Sequence, residues 1–185
     1  MRLGHRESVD FDFFTHLVFE PFALAQSIAY LRVQLVTQQD KNTLSCDVGT
    51  EKGAVKMSFF GGLSLRQIDA PDRAQCNGIA VASLRDIFGM KCATVSQRGE
   101  SKDYLDIHAL MVRAGLSLTE GLGAAGAIFG RQYNPLLTLQ ALSYFDDLPE
   151  PLADTVKADL RAAVRSVSLQ HLPQLVATHV IGEGA

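Results

Sequence analysis

Apolar and charged side chains alternate near the amino terminus, over residues 8–14 (Ser-Val-Asp-Phe-Asp-Phe-Phe). A side-chain period of two predicts a half-buried strand, with Asp10 and Asp12 on one face. Three apolar side chains are expected to pack on the other face: Val9, Phe11 and Phe13. Like charges side by side on a strand are unfavourable unless something compensates them. Two interpretations follow: a solvated strand face, or two carboxylates that share a divalent cation such as Mg²⁺.

Turn residues divide the rest of the first half of the chain into strand-length runs. Three further strands are predicted, over residues 42–48, 54–60 and 63–68, because glycines separate runs rich in β-branched and aromatic residues. A loop is predicted at 69–72 and a short strand at 78–82. Residues 21–37 carry a helical stripe of apolar side chains, and a change to strand within 31–36 remains open.

Helix start signals dominate the second half of the chain. Ser83, Ser101 and Ser117 each precede a helical pattern and predict amino-terminal caps, and Asn134-Pro135 predicts a further start. A linker at 146–151 precedes a last amphipathic helix over 152–169. The predicted fold class is therefore α+β, a small sheet followed by a helical half. The expected segments are a strand-rich core (1–82), a helical half packing on the sheet (83–170) and a tail (171–185).

Composition narrows the class of protein. The 185 residues are 47% hydrophobic and 20% charged, which suits a soluble globular chain with a core. The net charge of −3 provides no global positive field for nucleic acid, so RNA would need a local patch. The cysteines and histidines lack the spacing of a disulfide framework or a zinc site. No apolar run of about 18 residues occurs, and no signal-peptide pattern, so a cytoplasmic protein without membrane contact is expected.

Charged residues in the helical half are candidates for chemistry. Lys91 falls on the apolar face of its predicted helix, so its ammonium either extends to solvent or enters a cleft to meet an anion. Asp103 and Asp106 share one side of the following helix, and Lys102 can pair with Asp106. By themselves, these acids favour a structural interpretation, in which Asp103 complements the helix dipole and Asp106 forms a surface ion pair.

Several motifs occur together in a recognisable order. They are residues 4–14, 55–60 and 86–91, Gln97-Arg98, Lys-Asp-Tyr-Leu-Asp at 102–106, and the tail from Phe129-Gly130 to residues 144–147. In this combination the chain resembles the AbiEii/AbiGii toxin family of nucleotidyltransferase-like proteins over nearly its whole length. The resemblance implies a mixed sheet flanked by helices and transfer of a nucleoside monophosphate from an NTP with Mg²⁺. It also implies a toxin of an abortive-infection or toxin–antitoxin system, with an RNA (tRNA) or protein acceptor and a cognate antitoxin.

The resemblance also implies roles for individual residues. Asp10 and Asp12 would be catalytic carboxylates that bind the metal, and Asp103 or Asp106 would be the acid of the later helical motif. Three cationic side chains would contact the nucleotide: Lys91, Arg98 and Lys102. For Arg98, an exposed position at a helix end is an equally good interpretation. Such a set suits phosphoryl chemistry, which depends on positioning and charge neutralisation more than on a covalent nucleophile.

The chain departs from the family's pattern in two places. The family's first motif begins with Gly-Gly or Gly-Ser at a helix start that holds phosphate, whereas only nine residues precede Asp10. We therefore expect either a start upstream of Met1 or a shortened relative. Ser58 stands where a third carboxylate is expected, and Asp47 is a candidate substitute. The alternative function is an inactive remnant that acts as a binding module; a helical adaptor is the least favoured class.

Overall fold

The computed structural model of the protein describes residues 3–8, 10–51, 53–75 and 77–182, so Val9 and Cys76 lie outside it. The described residues form two compact units. The sheet unit comprises residues 6–65 and 180–182, and the helical unit comprises residues 3–5 and 66–179. This division differs from the segments expected from the sequence. Residues 66–82 join the helical unit, where the backbone N–H groups of Ile68 and Asp69 donate to the Asp86 carboxylate.

A mixed sheet organises the described part of the sheet unit. Its strands are β1 (Asp10–Phe14), β2 (Leu35–Asp40), β3 (Thr43–Thr50) and β4 (Gly53–Phe60). The spatial order is β1-β4-β3-β2, in which β1 runs parallel to β4 and the other neighbours are antiparallel. The strands predicted at 42–48 and 54–60 are confirmed as β3 and β4.

The helix predicted over residues 21–37 is shorter than expected. Helix α1 (Pro21–Ser27) is followed by a 3₁₀ turn (Ala29–Val33), and β2 then pairs with β3. Asn42, with a φ of +57°, lies where β2 returns into β3. All side chains of β2 are exposed, so the strand lacks the alternation that would have marked it. The change to strand left open for 31–36 occurs at Leu35.

One face of the sheet carries the apolar core of this unit. Leu44 and Cys46 are buried on one face, where Leu31 of the 3₁₀ turn and Ala25 of α1 join the same core. Phe13 stacks on Phe59 with the ring centroids 5.0 Å apart. The prediction that Phe11 packs is wrong: its side chain is 52% exposed on β1, the end strand of this sheet.

Five α-helices lie in the described helical unit: α2 (Leu84–Val95), α3 (Ser101–Val112), α4 (Leu118–Phe129), α5 (Pro135–Ala141) and α6 (Asp154–Ser166). Short 3₁₀ turns occur at Gly130–Gln132 and Leu169–His171. The remaining strands are two residues long: β5 (Arg66–Gln67), β6 (Asp72–Arg73), β7 (Ala80–Val81) and β8 (His179–Val180). Of the strand predicted over 63–68 only β5 forms, and β6 pairs with β7 at the end of the predicted loop. Within the described ranges, every helix is too short or too polar to cross a bilayer.

Serine side chains define two of the helix starts as predicted. Ser83 accepts from the Asp86 N–H, and Ser117 forms a reciprocal capping box with Glu120. The predicted cap at Ser101 is wrong, because Ser101 is the first residue of α3 and its buried hydroxyl donates to the Glu150 carbonyl. The core of the helical unit then forms from the inner faces of these helices, with Phe88, Ile107, Leu122 and Leu142 fully buried.

Candidate functional site

Asp10 and Asp12 lie on one face of β1, as the alternation predicted. Their partners on β4 are Lys56 and Ser58 respectively, and residues paired across strands direct their side chains to the same face. Asp12 is exposed and Asp10 is half-buried. The two acids therefore occupy an edge strand, beside a lysine and a serine.

Two rows of polar residues continue across this face of the sheet. One row runs from Asp10 through Lys56 to Asp47, and the other from Asp12 through Ser58 to Ser45. Lys56 places a positive charge in register between two acids, which offsets the like-charge penalty on the strand face.

The second row carries two serine hydroxyls beside Asp12. Ser45 and Ser58 are buried, and their hydroxyls lie 3.1 Å apart in a hydrogen bond. Ser58 therefore stands directly opposite Asp12, at the position for which a third carboxylate is expected from the sequence. Asp47 lies one strand further away, beyond β4.

The donor set on β1 fits one kind of metal ion. Across the described ranges, no group of three or more His, Cys, Asp or Glu side chains could hold a metal. Sites formed entirely by protein ligands, such as structural zinc sites, need more donors than the two carboxylates of β1. Mg²⁺ is usually bound by one or two carboxylates, with water and substrate phosphate in its remaining positions. Asp10 and Asp12 match this second requirement.

Four of the predicted residues meet in the helical unit. The Lys91 ammonium lies 2.7 Å from Asp103 Oδ1 and 2.7 Å from Asp106 Oδ2. Arg98 Nε donates to Asp103 Oδ2 at 2.9 Å. We call Lys91, Arg98, Asp103 and Asp106, together with His5, the ion-pair cluster. Helices α2 and α3 and the turn between them supply its first four members.

Burial excludes a solvent-extended Lys91 and a surface ion pair at Asp106, whereas Asp103 does lie in the first turn of α3. Lys91 does not extend to solvent: its side chain is 22% exposed and its ammonium meets two carboxylates. Asp103 is 0% exposed and Asp106 is also buried, so the interpretation as a surface ion pair is wrong. Burial and the negative charge of Asp103 together raise the pKa of the neighbouring Tyr104 phenol. A buried carboxylate needs compensation, and Lys91 and Arg98 supply it.

Lys102 lies at the edge of this arrangement. Its ammonium pairs with Glu100 Oε2 at 3.1 Å, and Arg98 also approaches Glu100, at 3.4 Å. The Arg98 side chain is partly exposed while it reaches the buried Asp103. Arg98 is thus partly exposed, as expected of an arginine near a helix end, and at the same time contacts a buried acid of the candidate site.

His5 is a member of the cluster that the sequence did not predict. Its Nε2 lies 2.7 Å from Asp106 Oδ1, across 101 positions of sequence. No periodicity or ligand spacing marks a histidine in an amino-terminal loop. The sequence shows only the adjacent Gly4, and in the structure this glycine turns the chain with a φ of +57°.

Comparison with known proteins identifies the family. The family described as nucleotidyl transferase AbiEii toxin, Type IV toxin–antitoxin system, matches residues 1–176. The chain belongs to this family. The uncharacterized protein aq_aa25 of Aquifex aeolicus (strain VF5) is 30% identical to it over 162 residues, which are 85% of this chain and 74% of that protein. No solved structure matches the chain.

Family membership confirms the resemblance found in the sequence. It confirms the α+β nucleotidyltransferase-like fold, with its mixed sheet and helical carboxy-terminal half, and the enzyme class of a transferase. It also places the chain among toxins of toxin–antitoxin systems.

Proposed function

We propose that the protein is a nucleotidyltransferase toxin that transfers a nucleoside monophosphate from an NTP, with Mg²⁺, to a hydroxyl of an RNA such as tRNA or of a protein. In this reaction the acceptor oxygen bonds to the α-phosphorus, pyrophosphate leaves, and the hydroxyl proton is released. The observation that carries the proposal is the Asp10–Asp12 pair on one strand face, in a chain of a nucleotidyl transferase family. The cognate antitoxin is the expected protein partner.

Asp10 and Asp12 would hold the metal. The bound ion would supply charge neutralisation on the phosphates and help to align them. Asp12 is exposed and available to a ligand. Asp10 lies two residues earlier on the same strand face, paired with Lys56 of β4. We expect Lys56 to limit the negative charge of this face when no nucleotide is bound.

Lys91 would contact the NTP phosphates by hydrogen bonding. An ammonium has three N–H groups, and in the described part of the chain Asp103 and Asp106 engage two of them. One donor then remains for a phosphate oxygen. Because Lys91 already pairs with two carboxylates, we expect a directed hydrogen bond rather than bulk attraction to be its main contribution. Arg98 and Lys102 would add positive charge nearby, and Asp103 and Asp106 would hold these cations in place.

Labelled nucleotides test the proposal. The protein is incubated with each α-³²P-labelled NTP, Mg²⁺ and total tRNA, and the products are separated into RNA and protein fractions. We expect label in the RNA or in the protein itself, with one NTP preferred, and none with Asp12→Asn. Absence of incorporation at high protein concentration, with every NTP, would reject the transferase activity.

A second candidate function is nucleotide binding without transfer. Ser58 favours it, because this residue occupies the position opposite Asp12 where a third carboxylate is expected and bonds to Ser45 instead. In the same experiment this candidate gives Mg²⁺-dependent NTP binding without covalent label. Substituting Ser58→Asp tests whether a carboxylate there increases incorporation.

A further inference from the structure

His5 contacts the same carboxylate as Lys91. Its Nε2 lies 2.7 Å from Asp106 Oδ1, and the Lys91 ammonium lies 2.7 Å from Oδ2 of that carboxylate. A carboxylate bound at both oxygens is fixed in position and in the rotation of its plane. Asp106 is therefore bridged between an imidazole and an ammonium, and the imidazole is 10% exposed.

The surroundings of His5 indicate which ring nitrogen carries the hydrogen. The Asp106 oxygen accepts, so Nε2 carries the hydrogen. The other ring nitrogen, Nδ1, is buried and has no hydrogen-bond partner in the part of the chain that the structure describes. A proton on Nδ1 would be a buried donor without an acceptor, which is unfavourable.

The chain around His5 is attached to the helical unit at several points. The Leu3 carbonyl accepts from Arg113 at 3.0 Å, and the Leu3 side chain packs against the helical core. Gly4 adopts a φ of +57° between these contacts and His5, a conformation that favours glycine. These contacts attach the segment that carries His5 to the helical unit and place its imidazole beside Asp106.

We infer that His5 is a positioning residue, which fixes the Asp106 carboxylate through its Nε2–H and thereby holds the Lys91 ammonium ready for a phosphate. This inference rests on the proposed function for the part that concerns phosphate. The hold on Lys91 is independent of it. Outer hydrogen-bond partners of this kind orient the group that binds the ligand without touching the ligand.

The chain offers matched variants for the test. His5→Leu removes the donor at similar size, and His5→Gln keeps an N–H at the position of Nε2. His108 is the control, because it forms another His–Asp pair of the helical unit, with Nε2 2.8 Å from Asp159, at a more exposed place. His108→Leu thus removes a similar bond away from the cluster.

Three measurements are made on the whole protein. ¹⁵N NMR of labelled histidine reports the tautomer of His5, and ¹⁵N NMR of labelled lysine reports the order of the Lys91 ammonium, assigned with Lys91→Arg. Equilibrium dialysis with Mg²⁺ and each of the four NTPs gives the affinity. We expect a hydrogen on Nε2 of His5, loss of the Lys91 signal in His5→Leu, and a Kd raised about tenfold in that variant. His5→Gln should restore both, and His108→Leu should change neither.

The outcomes separate the inference from the proposed function. A hydrogen on Nδ1 with none on Nε2, or the same Lys91 signal and NTP affinity in His5→Leu as in the wild type, would overturn the positioning role. If His5→Leu fails to fold, the wild-type tautomer and the His5→Gln variant decide: a hydrogen on Nδ1 with none on Nε2, or a lost Lys91 signal in His5→Gln, overturns the role. Absence of NTP binding by the wild-type protein would overturn the proposed function instead, and the Lys91 signal would then judge His5 alone.

Discussion

The ammonium of Lys91 lies 2.7 Å from Oδ1 of Asp103, although the two residues belong to different helices. Lys91 is on α2 and Asp103 is in the first turn of α3. Because Asp103 is completely buried, its charge depends on Lys91 and Arg98 for compensation. The residues that we propose for nucleotide binding are therefore also part of what stabilises the helical unit.

Removing Lys91 should destabilise the protein. In Lys91→Met the apolar stem is kept and the charge is lost, so Asp103 and Asp106 each lose a partner. Breaking a buried ion pair from one side costs about 3–5 kcal/mol. We expect a loss of this size in the free energy of unfolding, measured by urea denaturation at neutral pH.

A surface pair provides the comparison for this variant. Lys157 approaches Asp154 at 3.6 Å on α6, where the carboxylate is almost fully exposed. Lys157→Met should therefore change the free energy of unfolding by less than about 1 kcal/mol. If Lys91→Met were as stable as Lys157→Met, the burial of the ion-pair cluster would be contradicted.

Glycine at position 89 allows α2 and α4 to approach closely. A Cβ on Gly89 would lie 2.8 Å from both the Ala124 carbonyl carbon and the Ala125 nitrogen. Both contacts are with backbone, which cannot turn away as a side chain would. We expect Gly89→Ala to lower the free energy of unfolding by about 1–3 kcal/mol, as measured by urea denaturation.

The same substitution elsewhere should have the opposite sign. A Cβ on Gly126, in α4, would meet nothing within 4 Å among the described residues. Alanine is favoured over glycine inside a helix by about 1 kcal/mol, so Gly126→Ala should stabilise the protein. Equal effects at the two positions would mean that helix propensity, and not the helix contact, decides the result at Gly89.

Local chemistry made much of the fold predictable. Ser83 and Ser117 cap their helices because a hydroxyl can satisfy an N–H of the first turn without help from distant residues. The strands β3 and β4 followed from β-branched and aromatic runs between glycines. Strand β2 did not, because its side chains are all exposed and show no period of two. The Ser101 hydroxyl does not cap its helix, because it donates to the carbonyl of the distant Glu150.

The candidate site likewise contains residues that local patterns placed and residues that only distant contacts bring together. Alternation predicted the common face of Asp10 and Asp12, and helical spacing placed Lys91 beside the apolar core. The partners of Lys91 were outside the reach of periodicity, because they come from another helix. His5 was further still from prediction, since it meets Asp106 only after the whole helical unit has folded. The roles of these residues came from the family resemblance and stay proposals.

The capping box of α4 should make stability depend on acid pH. Hydrogen bonds from the Ser117 N–H and hydroxyl hold the pKa of Glu120 below its usual value. A lowered folded-state pKa gives stability that is present above the ordinary glutamate pKa and is lost as the pH falls through the folded-state value. Glu120→Gln should therefore flatten the acid limb of a plot of unfolding free energy against pH.

Two companion variants define this effect. Ser117→Ala removes the cap and should cost about 1 kcal/mol at neutral pH. Glu150→Gln, at an exposed position of the helical unit, should leave the slope of the acid limb unchanged. An acid limb in Glu120→Gln as steep as that of the wild type would show that the box carries no pH-dependent stability.

The carboxylates of β1 give the most direct test of the proposed metal site. Asp10→Asn and Asp12→Asn each keep the shape of the side chain and remove one of the two charges that would hold Mg²⁺. We expect each to raise the Kd for Mg²⁺–NTP at least tenfold, about 1.4 kcal/mol. The measurement is the rise in melting temperature that Mg²⁺ and NTP produce together, since a ligand stabilises the fold that binds it.

Asp47→Asn separates this role from general loss of charge. Asp47 lies on the same sheet face as Asp10, in register with Lys56, but two strands away from β1. Without ligand, Asp12→Asn should be as stable as the wild type or slightly more stable, because it relieves like-charge repulsion beside Asp10. Its loss of binding would therefore not come from unfolding. If Asp47→Asn lost Mg²⁺–NTP binding while Asp10→Asn and Asp12→Asn kept it, the metal would belong to another part of the sheet.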